Sequence, residues 1–403
     1  MQPIYLDYNA TTPLAPEAAE VMSRVDRESW GNAASQHAFG RRARRIVEDA
    51  RDQIADILGL RQAGREPDRL LFTGGGTEAN NLALLGLGYA EQASAAEFAG
   101  RVFVSAVEHP SVLGLVPKLR QLGAEVVVVP VDAGGCVDVD HVAERLTPDT
   151  RLVSVMLGNN ETGVLQPIAE LAELCRARNV LLHTDAVQAV GKIELNFAAL
   201  GPAALSLAAH KFHGPLGVGG LVVRGGVPLR PLLAGGFQQA GLRPGTEPPA
   251  LIAGMAAALA AWHRERAARE RKLRELRDDL ERRLTAGAPE IVVHARDLPR
   301  LPQTLNAAFL GVDRQAMFVA LDQAGVACST GSACASGSSE TSSTLRAMGR
   351  PAEQLESSLR FSVGAFTTTA EVAAAAERIL HVFNELRGGG KARFSASSGR
   401  VAP

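Results

Sequence analysis

Val180-Leu181-Leu182-His183-Thr184-Asp185-Ala186-Val187-Gln188 and Ala204-Leu205-Ser206-Leu207-Ala208-Ala209-His210-Lys211 share one layout. In each, a short and almost wholly apolar run ends abruptly in ionisable residues. Such runs suit strands covered on both faces, where neither set of side chains meets water. The pattern recurs upstream at Leu70-Leu71-Phe72, Val102-Phe103-Val104, Val126-Val127-Val128-Val129 and Leu152-Val153-Ser154-Val155-Met156, and downstream at Leu221-Val222-Val223. Helical patterns separate most of the runs, so the segment predicts βαβ units around a mainly parallel sheet of seven strands. Ligands bind such sheets beyond the carboxyl ends of the strands. The polar residues that follow each run therefore decide what the chain can do.

Beyond residue 251 the pattern changes. Residues 255–286 read as one long helix, Ala-rich and then strongly charged, with opposite charges four apart at Glu265/Arg269, Glu270/Arg274 and Asp278/Arg282. A solvated structural helix is the plain reading, a basic surface for nucleic acid the alternative. Strand-like pieces at Ile291-Val292-Val293 and 304–309, then a helix near 370–387, predict a smaller α+β domain. The expected division is a large domain over 14–254 and a small one over 1–13 with 255–387. The Gly/Ser/Ala-rich tail 388–403 is expected to be disordered.

Composition narrows the function. The net charge of −1 offers nothing to nucleic acid or an acidic membrane surface. No run of about 18 apolar residues is present to span a bilayer, and the N-terminus lacks a basic region followed by an apolar one. A cytoplasmic protein without nucleic-acid or membrane partners is expected. The four cysteines, Cys136, Cys175, Cys328 and Cys334, are too few for a disulfide framework, and none has CxxC spacing, so no metal site is expected.

Five strand ends, after Phe72, Val104, Met156, Leu182 and Leu207, deliver a glycine loop or ionisable groups such as Glu108-His109 and Asn159-Asn160-Glu161 to one edge of the sheet, and other candidates lie elsewhere in the chain. Gly74-Gly75-Gly76-Thr77 opens a helix and suits an anion such as phosphate, or is only a turn. Asp185 either caps the next helix or pairs with the pyridinium nitrogen of pyridoxal phosphate, with Gln188 three residues on. The chain has only five lysines. Lys118, Lys272, Lys391 and Lys192 read as solvated charges, whereas Lys211 stands between an apolar run and a Gly/Pro turn, beside His210. Desolvation and a neighbouring cation make such a lysine a Schiff-base former. Cys334 lies in a stretch of small and polar residues, a poor place for a structural cysteine and a good one for a travelling nucleophile. Arg360, flanked by apolar residues, needs an anion: a structural carboxylate or a substrate carboxylate.

Taken together these segments resemble the cysteine desulfurases of the NifS/IscS type, within the class V aminotransferase group of fold-type I pyridoxal-phosphate enzymes. The likeness runs from Leu6 to Thr369. It rests on Leu6-Asp7-Tyr8-Asn9-Ala10-Thr11-Thr12-Pro13, Gly31-Asn32 with His37 and Gly40, 73–81, Glu108-His109, Asn159-Asn160-Glu161-Thr162-Gly163, 183–192, His210-Lys211 with Gly214-Pro215, Arg243-Pro244-Gly245-Thr246, Gly331-Ser332-Ala333-Cys334 and Leu359-Arg360-Phe361-Ser362. It implies an α/β fold-type I transferase with pyridoxal 5'-phosphate on Lys211. His109 would stack on the ring and move protons, Asp185 would bind the ring nitrogen and Gln188 the hydroxyl. Gly76, Thr77 and His210 would bind the phosphate, with Thr246 arriving from the other subunit of a homodimer. Asn32, Asn160 and Arg360 would hold the carboxylate of L-cysteine, and Cys334 would accept its sulfur for delivery to an acceptor protein such as an iron–sulfur scaffold.

Three features depart from the family pattern. Ala208 stands where the family has a phosphate-binding serine, 236–241 reads Gly-Phe-Gln-Gln-Ala-Gly, and Pro244 replaces a small residue. Other readings are a cysteine, cystine or selenocysteine lyase on the same scaffold, which would not need Cys334, and a desulfurase-like docking scaffold.

Overall fold

The computed structural model describes residues 2–88, 100–331 and 341–397. In chain order its strands are β1 (Ile4–Tyr5), β2 (Arg69–Thr73), β3 (Arg101–Ser105), β4 (Glu125–Val129), β5 (Thr150–Ser154), β6 (Leu181–Asp185), β7 (Ala204–Ala208), β8 (Gly219–Val223), β9 (Ile291–Val293), β10 (Thr304–Phe309), β11 (Val326–Ala327) and β12 (Ser358–Ser362). Seven of them form one sheet in the order β2-β8-β7-β6-β5-β3-β4. All pairs are parallel except those of β8, which runs against both β2 and β7.

The continuous apolar runs have a direct cause. Alternate residues of one strand enter two separate cores. Phe103, Val153 and Leu205 join one, with the helices Ala38–Leu58 and Pro249–Arg264. Val102, Val104, Leu152 and Ala204 join the other, with Gly76–Gly88 and Val116–Gln121. β7 and β8 are buried at every residue.

A third core gathers Ile4 and Leu6 with residues between Leu273 and Phe383. Its framework is the antiparallel sheet β12-β10-β9, the parallel pair β1-β11, and the helices Arg266–Gly287, Arg314–Gln323 and Thr369–Ser397. The first thirteen residues reach back over the main sheet: the Thr12 amide and hydroxyl both donate to the His210 carbonyl, at 3.1 and 2.9 Å.

Some expectations are corrected. The single helix over 255–286 is two, broken at Glu265 (φ −117°, ψ 13°). Pro249–Arg264 packs on the first core as far as Trp262, eight residues past 254. Glu265/Arg269 and Glu270/Arg274 pair at 2.9 and 2.8 Å. The Asp278/Arg282 pair does not form, because Arg277 takes Asp278, and the inward-facing Asp279 draws both Arg282 and Arg283. The last helix runs to Ser397, so 388–397 is helical rather than a tail without structure; once a helix is nucleated, each added residue gains a ladder bond.

Candidate active site

Five strand ends converge on one cavity at the carboxyl edge of the main sheet. Gly76 and Thr77 come from beyond β2, His109 from beyond β3, Asn160 from beyond β5, Asp185 and Gln188 from β6 and its turn, and His210 and Lys211 from beyond β7. β7 ends at Ala208, and one 3-10 turn, Ala209–Lys211, aims the lysine inward. Lys211 Nζ donates to the carbonyls of Asn9 (2.6 Å) and Ala10 (2.8 Å), so the N-terminal segment holds the amine.

Asp185 caps no helix, since a turn follows β6; it holds that turn and faces the cavity. One oxygen accepts from the Val187 amide (2.9 Å), fixing the turn after β6. The other accepts from Asn80 Nδ2 (2.6 Å), and the side chain borders the cavity. Behind it, Glu108 is wholly buried and accepts from the Met156 amide (2.6 Å). Burial first, and the charge of Asp185 second, push the Glu108 carboxyl well above its usual range and favour its neutral form.

His109 caps the short helix Pro110–Leu113. Its Nδ1 accepts from the Ser111 amide (3.1 Å) and lies 2.8 Å from the Ser111 hydroxyl. In the neutral ring the proton therefore sits on Nε2. Burial lowers the pKa of His109; the Asp185 charge opposes this, while Lys211 and Arg360 add to it.

The glycine loop leads into a helix N-terminus at the cavity. The helix Gly76–Gly88 begins at the cavity with free amides. A Cβ on Gly76 would lie 2.8 Å from Val187 Cγ2, so only glycine lets the backbone approach here. Glu78 accepts from the Gly74 amide (2.6 Å), and Arg243 grips both Glu78 oxygens at 2.7 and 3.1 Å. Gln188 gives its amide nitrogen to the Asn9 carbonyl (2.9 Å), while its Oε1 is buried without a partner. A helix N-terminus, an aspartate, a bare amide oxygen and an amine thus surround one space. They fit a small ring carrying a phosphate, a protonated nitrogen, a hydroxyl and an aldehyde.

The profile of the family described as Aminotransferase class-V matches residues 4–374. The chain belongs to the class V aminotransferase family. Its relatives in that family include the cysteine desulfurase IscS of Dictyoglomus turgidum, 39% identical over 384 residues, 95% of each chain. A cysteine desulfurase of Cereibacter sphaeroides is 42% identical over 391 residues, 96% of this chain and 97% of the other. Among solved structures, the NifS-like protein of Rickettsia africae superposes with a TM-score of 0.85 at 30% identity, covering 95% of this chain and all of that one.

Not every candidate of this class V chain reaches the cavity. Arg360 is buried on β12; its Nη2 donates to Asp7 Oδ1 (2.7 Å) and its Nη1 to the Asn160 carbonyl (3.0 Å), so a structural carboxylate does pair with it. Its Nε is buried without a partner, and it stands behind Asn160, which borders the cavity. Asn32 is exposed and accepts from the Ala34 amide (2.9 Å). Thr246 is also exposed, and neither residue lines this cavity. His210 does, with Nδ1 3.1 Å from the Thr11 hydroxyl; burial and the nearby lysines lower its pKa to about 4. Cys334 lies outside the described residues.

Two residues escaped the sequence reading. Asn80 sits in the helix after the glycine loop, one turn from Gly76, and that spacing was the available signal. Lys192, read as solvated, is buried at 2% exposure; a lysine after a glycine resembles a surface turn until the packing is known.

Proposed function

We propose that this chain is a pyridoxal-phosphate-dependent cysteine desulfurase, converting L-cysteine to L-alanine and passing the sulfur as a persulfide on Cys334 to an acceptor such as an iron–sulfur scaffold or a thiolation protein. One observation carries the reading. Lys211, Asp185, Gln188 and His109 meet at the N-terminus of the helix Gly76–Gly88, in a chain whose curated relatives are cysteine desulfurases along nearly their whole length. Pyridoxal phosphate, when bound, supplies the electron sink that lets the α-carbon of an amino acid give up its proton.

The chain's residues do the rest. Lys211 holds the cofactor aldehyde, Asp185 its ring nitrogen and Gln188 its hydroxyl. The amides at Gly76 and Thr77, with His210, hold the phosphate, and Thr246 joins them from the second subunit of a homodimer. Asn160, Asn32 and Arg360 would seat the substrate carboxylate, with Arg360 exchanging Asp7 for it and Asn32 moving in from outside the cavity. When substrate displaces it, the Lys211 amine is the base for the α-proton. His109 is engaged at Nδ1 by the Ser111 amide and so offers a proton from Nε2 rather than taking one. The Cys334 thiolate would attack the substrate sulfur; the S–S bond forms as the C–S bond breaks, the electron pair of the broken bond stays on the β-carbon and takes up a proton there, Lys211 returns a proton to the α-carbon, and the carbon skeleton leaves as alanine. A cytoplasmic setting suits a persulfide carrier.

The test is the protein with L-cysteine. A yellow protein whose visible band is lost on borohydride reduction, with the cofactor fixed to the Lys211 peptide and alanine as the carbon product, is expected. Pyruvate and ammonia would instead identify a C–S lyase, and alanine from selenocysteine alone a selenocysteine lyase.

A further inference from the structure

Lys192 is a buried amine that the steps above do not use. It follows Gly191, whose backbone is left-handed (φ 74°) and lies so close to the next turn that a Cβ there would collide with the Phe212 side chain. The turn at 191–192 is therefore packed against the Phe212 side chain, next to Lys211. From there Lys192 Nζ donates to the carbonyl oxygen of Lys211. The charged and titratable groups around it are Lys211, His210 and His213, all on the segment that follows β7, and Arg269 faces His213 from the helix Arg266–Gly287. Among the described residues no carboxylate pairs with Lys192, and burial together with the Lys211 charge lowers it to about 7. A buried ammonium without a carboxylate is costly, and a methionine would fill the same space without that cost.

We propose that Lys192 is a positioning residue for Lys211: it fixes the turn that presents the Lys211 amine and, when protonated, places a second positive charge beside it, favouring that amine's neutral, nucleophilic form. The inference rests on Lys211 being the lysine that holds the cofactor. The test compares wild type, Lys192→Met and Lys192→Gln as full-length protein. Three quantities are read: the melting curve, the pH midpoint of the cofactor's visible band, and the rate at which cofactor-free protein captures pyridoxal phosphate.

Removing the charge is expected to raise the midpoint by about one pH unit in both variants, the shift one nearby charge produces. Capture at neutral pH is expected to slow roughly tenfold in Lys192→Met. Lys192→Gln keeps a donor for the Lys211 carbonyl and is expected to recover part of that rate. A folded Lys192→Met with unchanged midpoint and capture rate overturns the proposal. If neither variant folds, Lys192 is structural and the proposal is again overturned. Borohydride fixation away from Lys211 in wild type would instead defeat the functional reading itself, before any variant is compared.

Discussion

Ala208→Ser adds one hydroxyl at the point where the family has a serine. Ala208 is 1% exposed, ends β7 and borders the cavity. Its Cβ is 3.5 Å from where a Cβ on Gly76 would stand, so an oxygen on that carbon can reach an anion seated at the helix N-terminus. A new hydrogen bond to a neutral group is worth about 0.5–1.5 kcal/mol, and one to a charged phosphate about 1.5–3. At about 1.4 kcal/mol per tenfold, the phosphate contact should tighten binding roughly 10- to 100-fold. The assay is titration of cofactor-free protein with pyridoxal phosphate and, in parallel, with pyridoxal, which lacks the phosphate. The variant is expected to tighten only the first. Without ligand the buried hydroxyl is short of a partner, so the cofactor-free variant should melt earlier than wild type and recover on loading. Equal change for both ligands, or none for the phosphate in a folded variant, would refute the placement of the phosphate beside Ala208.

Other perturbations probe the frame around the site. Asp7→Ala removes the carboxylate that hydrogen-bonds the buried Arg360 guanidinium and leaves it the Asn160 carbonyl and the charge of Glu161; the loss is expected to be about 3–5 kcal/mol by chemical denaturation, as for other broken buried pairs. His183 is wholly buried between the Ser154 and Ser206 hydroxyls, 2.9 and 3.0 Å from its ring nitrogens, and burial lowers its pKa to about 3. Below about pH 6.5 the unfolded chain takes up a proton that the folded chain refuses, so stability falls as the pH drops toward 3, by up to ~5 kcal/mol for this group. Above that window His183 contributes no slope. Denaturation series at several pH values should show the loss, and His183→Asn should remove the His183 share of it while the share of His210, His213 and His294 remains.

The main sheet was legible in the sequence because its strands are covered on both sides, and double burial leaves an unbroken apolar run. Strand direction was not legible: β8 runs opposite to its neighbours, yet Leu221-Val222-Val223 reads like any other run. The break at Glu265 left no trace, since Arg, Glu and Ala on either side are all good helix formers. The residues around the cavity were recognisable because each lies at or shortly after the end of a strand. The buried charges were harder, because their partners come from distant segments. Arg360 finds Asp7 across 353 residues, and Lys192 meets Lys211 through a glycine turn. The altered loop at 236–241 also acquires a physical role. Gln239 pairs with both the amide and the carbonyl of Phe72, at 2.6 and 2.8 Å, standing in for a missing strand beside the edge strand β2.

The most direct test follows the sulfur. Wild-type protein and Cys334→Ala, both loaded with cofactor, are given L-cysteine, and alanine and protein-bound persulfide are measured together with the modified peptide. The account predicts persulfide on the Cys334 peptide of the wild type, matched by alanine, and none in the variant. Equal persulfide in Cys334→Ala, or turnover without any protein-bound sulfur, would contradict it.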